Sequence, residues 1–181
     1  MTGHVRIYLK GDLPMSEEEK SGSSRVRMTG RPLLVPVDFS AYSEAALLLA
    51  SDLADGLGAR LVVLHVVHDP LNMPGYYARM TRKKTLTLME DIAAEMLDEF
   101  MTKVAMRNPE RKALQKPELL LVKGIPVTRI LEVAEKEKAR MIVMGSQGAT
   151  GLKHLLLGSV AEQVLGLAKL PVTIVKEQPK R

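Results

Sequence analysis

Cysteine is absent from the chain. Disulfides, thiolate metal sites and cysteine nucleophiles are therefore excluded. A reducing compartment suits such a chain, and a cytoplasmic location is the expectation. Tryptophan is also missing, and Phe39, Phe100 and four tyrosines are the whole aromatic inventory. The core must therefore be aliphatic, with abundant methionine filling irregular gaps. No basic stripe interleaved with aromatics is present, so base reading in nucleic acid is not expected. No apolar run is long enough to span a bilayer. The N-terminus lacks the continuous apolar stretch of a secretory signal, so no membrane partner is expected.

What is present is enough for one domain of ordinary size. Nearly half of the 181 residues are hydrophobic, which allows a full core. The net charge of +5 favours anions such as nucleotides but is modest for a nucleic-acid binder.

Residues 1–30 differ in composition from the rest. Glu17, Glu18 and Glu19 precede Ser21, Gly22, Ser23 and Ser24, a solvated pattern. Within this extension His4 to Leu9 alternates as a short strand does. An added edge strand and a plain tail both fit it. The compact domain is expected over 31–181.

From Leu33 the pattern becomes regular. Leu33 to Val37 is a short buried strand ending at Asp38. Ser40 caps a helix whose apolar face is read as Ala45, Leu48, Leu49 and Leu53, with Asp52 as a polar exception, and Gly56 and Gly58 stop it. Leu61 to Val67 is a second strand. A long helix over about 79–106 carries a stripe of Met89, Ile92, Ala93, Met96, Phe100 and Val104, read as core packing. Glu118 to Val122 is a third strand. Pro126 opens a helix with Ile130, Val133 and Ala134 inward. Arg140 to Met144 is a fourth strand, a helix follows near 160–169, and Pro171 to Val175 is a fifth. Strands alternating with helices imply an α/β fold: an open five-stranded parallel sheet with helices on both faces.

In such a sheet ligands bind at the carboxyl ends of strands, where the strand order reverses. Two strand ends are unusual. One is Asp38. The other is Gly145, which begins a loop with Gly148, Gly158 and Ser159. Glycines let backbone N–H groups approach an anion, and a helix opening at Gly158 and Ser159 favours phosphate. Ser159 and Glu162 also fit an S-x-x-E capping box, which needs no ligand. The loop alone supports both readings equally. Likewise Asp38 can cap the helix after it.

The spacing G-x2-G-x9-G-S, between Met141–Met144 and Val160-Ala161-Glu162, resembles the ATP-binding universal stress proteins. Leu34 to Ser40 is similar to that family's opening strand, His65-Val66 to its second, and Gly124-Ile125-Pro126 to its third-strand exit. The likeness runs from about Arg31 to Lys176. It implies that Asp38, beside Pro36 and Val37, hydrogen-bonds the ribose or base. It implies that Val66 meets the adenine edge through its backbone, and that Met144 and Gly145 line the nucleoside. Gly148, Gly158, Ser159 and Val160 would hold the phosphates, with magnesium or manganese riding on them. It implies a regulatory ATP-binding module in stress response, working with an unknown protein partner. It further implies a homodimer paired through 171–175. A slow ATPase, and autophosphorylation at Ser146, Thr150 or Ser159, are variants; a dimeric interaction module without nucleotide is the alternative. Asp38 is the only carboxylate placed near the site, which favours binding over turnover.

Other residues attract less weight. Arg79, Arg82, Lys83 and Lys84 cluster near a helix start, and Lys153 and His154 lie within the glycine loop; a solvated surface explains them. His65 and His68 follow strand spacing without metal-ligand partners. A P-loop is excluded by the missing G-x4-G-K-[ST]. A dinucleotide-binding fold lacks its glycine fingerprint after the first strand. The exits Val37-Asp38-Phe39 and Val122-Lys123-Gly124 do not supply a receiver domain's acids.

Overall fold

A computed structural model describes residues 5–8, 30–68, 83–148 and 157–176, with the backbone alone at 5–8, 68 and 83–88. Strands are β1 (Val5–Tyr8), β2 (Leu33–Pro36), β3 (Leu61–His68), β4 (Glu118–Gly124), β5 (Met141–Gly145) and β6 (Val172–Val175). Helices are α1 (Ala41–Leu57), α2 (Lys83–Arg107), α3 (Pro126–Lys136) and α4 (Ser159–Leu167), with a short 3-10 helix at Lys112–Gln115. The order across the sheet is β1-β4-β3-β2-β5-β6, and all pairings are parallel. The five expected strands form the parallel sheet, and Val5–Tyr8 extends it beside β4.

From β2 the chain moves outward to β3 and β4, then jumps back across to β5 and β6. Right-handed crossovers put helices of opposite travel on opposite faces. Accordingly α1 and α2 pack with Leu33, Val35, Val37, Leu61 and Val63 on one face. Residues of α3 and α4 pack with Leu34, Val62, Leu64, Ile142 and Met144 on the other. The reversal lies between β2 and β5, which are neighbours. The two unusual strand ends thus emerge side by side.

Two helix faces differ from the sequence reading. In α1 the buried positions are Ser43, Ala46, Leu47, Ala50, Ser51 and Ala54. Leu48 and Leu53 pack only on the flank, and Leu49 is 37% exposed. The helix is apolar almost all round, so periodicity leaves its rotation undetermined; the small residues let its backbone lie close to the sheet. In α2 the buried line is Ala93, Leu97, Met101 and Val104, while Met89, Ile92 and Met96 are 36%, 48% and 47% exposed. Ala93 admits the close approach to Val67 and Leu121 that sets this rotation. In α3 Ile130, Val133 and Ala134 face inward, as the pattern predicts. Among the described residues no helix is long and apolar enough to cross a membrane.

Candidate functional site

Register brings the site together at the carboxyl end of the sheet. Just past β2, the Val37 amide donates to the Leu64 carbonyl at 2.8 Å. This ties the β2 exit to β3. Asp38 follows, partly exposed. Its Oδ1 accepts from the Ser40 hydroxyl at 2.6 Å and the Ser40 amide at 3.2 Å. Ser40 in turn caps α1, its Oγ accepting from the Ser43 amide at 3.2 Å. One carboxylate oxygen is therefore built into the turn that starts α1. The second faces the glycine loop: a Cβ on Gly148 would lie 2.6 Å from Asp38 Oδ2.

The other side of the site is β5 and the segment beyond it. Gly145 is pressed against α1, and a Cβ there would lie 2.8 Å from the carbonyl carbon of Tyr42. Helix backbone does not give way easily, so glycine at this position has a packing reason of its own. Ser146 is buried, at 2% exposure. Its amide donates to the Val175 carbonyl at 2.8 Å, and its carbonyl accepts from the Gly158 amide at 2.7 Å. These bonds anchor the start of α4 to the ends of β5 and β6. A Cβ on Gly158 would lie 3.8 Å from the Gly148 nitrogen, so the two ends of the loop meet.

The N-cap of α4 is Gly158, and it makes no side-chain capping bond. Ser159 is the first helical residue rather than the cap, so the S-x-x-E box is not formed. The 158 amide is committed to Ser146. The amides of Ser159, Val160 and Ala161 begin the helix without an intrahelical acceptor, as helix geometry requires. Together with the helix dipole they present positive potential toward an anion.

The remaining sequence-selected positions are Pro36 and Val66, partly buried, and Val37 and Met144, at 5% and 6% exposure. Val66, Met144 and Val160 all belong to the packing of the α3 and α4 face. Arg79, Arg82, Thr150, Lys153 and His154 lie outside the described residues, as do the side chains of Lys83, Lys84 and His68. Among the described residues no cluster of three or more His, Asp or Glu is arranged to hold a metal ion. A cleft of about 540 Å³ opens at the opposite end of the sheet, beside Asp55, Arg60, Lys112 and Glu118. There Asp55 accepts from the amides of Lys112 and Ala113, and Arg60 pairs with Glu118, so these polar groups serve packing.

Sequence reasoning gave His65 and Phe39 no part in the site. The His65 ring lies against Phe39 with centroids 4.4 Å apart. Its Nδ1 is 2.8 Å from the Val37 carbonyl. Burial holds its imidazole below the ordinary pKa, against the upward pull of the Val37 bond and the Asp38 charge. The available signal was a histidine interrupting an otherwise aliphatic strand.

Residues 30–176 match the sequence profile of the universal stress protein family. A universal stress protein of Methanocaldococcus jannaschii, MJ0531, is 33% identical over 151 residues, covering 83% of this chain and 84% of its own length. The solved structure of protein MJ0577 superposes with a TM-score of 0.60 at 28% identity, covering 83% of this chain and 98% of that one. A universal stress protein from Archaeoglobus fulgidus, solved in complex with dAMP, gives a TM-score of 0.54 at 27% identity, covering 82% and 100%.

Proposed function

The chain belongs to the universal stress protein family, and from that premise we propose that it is an ATP-binding regulatory module with its site between Asp38 and the start of α4. The observation that carries this reading is the junction of Asp38, Gly148 and Gly158 beside uncapped helix amides. Phosphates are bound by the amides of Ser159 and Val160 and by the hydroxyl of Ser159, with Gly148 admitting close approach. The Asp38 carboxylate takes the ribose or base. Pro36, Val37, Val66, Met144 and Gly145 form the wall behind the nucleoside. Magnesium or manganese, when present, is held through the phosphates. The complex of the A. fulgidus relative with dAMP supports an adenine nucleotide as the ligand class.

Binding is favoured over turnover. Asp38 Oδ1 is engaged by Ser40 and the carboxylate is assigned to the ribose or base, which argues against its serving as a base to orient water. Ser146 is buried and so is a poor acceptor for phosphoryl transfer. The edge strand β6 pairs with β5 on one side only, and all its residues are half-buried. A second copy meeting this edge makes the homodimer.

Thermal unfolding with and without ATP and magnesium tests the reading. A ligand that binds only the folded state raises the midpoint in proportion to the logarithm of its concentration. A rise that follows this logarithmic dependence supports the proposal; no rise at millimolar ATP contradicts it.

A further inference from the structure

His65 sits on β3 one strand away from Asp38 and touches the chain on both sides of it. A carbonyl oxygen only accepts, so the 2.8 Å contact with Val37 requires that His65 Nδ1 donate. That bond holds the residue before Asp38. The residue after it, Phe39, has φ of 65°, a left-handed conformation that bulky side chains rarely adopt. Phe39 is kept there by aromatic contacts. Its ring stacks on the imidazole at 4.4 Å and meets the edge of Phe100 at 5.6 Å. A left-handed residue turns the chain sharply after Asp38. That turn brings Oδ1 onto the Ser40 amide and hydroxyl and leaves Oδ2 facing Gly148.

We propose that His65 is a positioning residue for the nucleotide site, which it does not itself line, setting the Asp38 carboxylate by clamping Val37 and Phe39 on either side. This rests on the nucleotide-binding reading above. The imidazole does two things that no aliphatic residue of a buried strand does: it donates to a carbonyl and it offers a flat face to a ring. The donor hydrogen on Nδ1 is present in the neutral ring and in the cation alike. The clamp is therefore a matter of geometry rather than charge.

The test is His65→Phe, which keeps the ring face and removes the donor. Affinity is measured for ATP and for inorganic triphosphate, in the wild-type background and with Asp38→Ala. The expected result is a loss of about tenfold for ATP, none for triphosphate, and no further loss in the Asp38→Ala background. Equal losses for both ligands, or the same ATP loss persisting without Asp38, would overturn the proposal. If the variant does not fold, His65→Asn tests the other half of the clamp, since its amide keeps a donor while the ring contact with Phe39 is removed; a loss for ATP without one for triphosphate is again expected, and equal losses overturn the proposal. Exchange of the Ser40 amide hydrogen, followed by NMR without nucleotide, separates this inference from the binding reading. His65→Phe lowers its protection if the clamp holds Asp38 Oδ1 in place, and unchanged protection overturns the clamp. Wild-type protein that fails to bind ATP defeats the binding reading and with it the nucleotide role of His65, and the Ser40 exchange then decides whether the clamp on Asp38 exists.

Discussion

Asp38 and Gly148 come from opposite sides of the strand-order reversal, yet a Cβ on residue 148 would stand 2.6 Å from Asp38 Oδ2. The space a side chain would need at 148 is the space the carboxylate occupies. Gly148→Val must therefore displace Asp38 or move the loop. The position is a partly exposed loop, so the fold survives. The expected outcome is loss of ATP binding by a hundredfold or more, roughly 3 kcal/mol, with little change in urea midpoint. Unchanged affinity would mean that the glycine serves the turn alone.

Asp38→Ala separates the two ends of the ligand. It removes the acceptor assigned to the ribose or base while leaving the α4 amides intact. ATP should weaken by about tenfold and inorganic triphosphate hardly at all. Loss of the bonds to Ser40 also costs stability, on the order of 1 kcal/mol. Titration calorimetry with both ligands checks this; equal weakening defeats the assigned role.

Gly145→Ala behaves differently, because its added methyl meets the helix backbone of Tyr42 and the Cβ fixed to it rather than the mobile end of a side chain. The 2.8 Å approach to Tyr42 pushes α1 away from β5. Overpacking of this kind costs about 1–3 kcal/mol. Chemical denaturation should show that loss whether or not nucleotide is present. A variant as stable as wild type contradicts the packing assignment.

Burial lowers the pKa of His65 in the folded protein below its ordinary value of 6.5. The unfolded chain therefore binds the proton more readily. The associated stability is full above the unfolded pKa and declines as pH falls from about 6.5 toward the folded value. Urea midpoints from about pH 8 to about pH 5 should fall more for wild type than for His65→Phe. Parallel curves would contradict the buried neutral ring.

The carbonyls of Pro171 and Val175 accept from the amides of Ile142 in β5 and of Ser146 just past it. Strand alternation then points the amides of Val172 and Ile174 outward, away from β5. Val172→Pro removes one outward donor and leaves the pairing with β5 in place. Light scattering should show a dimer for wild type and a shift toward monomer for the variant. A dimer of unchanged strength rules out this edge as the interface.

Much of the architecture was legible because buried parallel strands read as short apolar runs, and those at 33–37, 61–67 and 118–122 are of that kind. Asp38 and Gly145 stood out as the two unlike strand ends, and the neighbouring of β2 and β5 brings them together. The rotations of α1 and α2 were not legible. Apolar residues cover so much of each circumference that close approach at Ala46, Ala50 and Ala93 decides the buried face. The cap of α4 was displaced by one residue, since Gly158 and Ser159 are both good cap residues and the Ser146 carbonyl selects the first. The part of His65 was hidden because Val37 lies 28 residues away, and only sheet register unites them.

The most direct test of the account is isothermal titration of nucleotide-stripped protein with ATP and magnesium, beside Gly148→Val under the same conditions. Saturable binding near one nucleotide per chain in wild type, absent in the variant, is the predicted result. No heat of binding in wild type at millimolar ATP, or equal binding by both proteins, would contradict a nucleotide site built on Asp38, Gly148 and the start of α4.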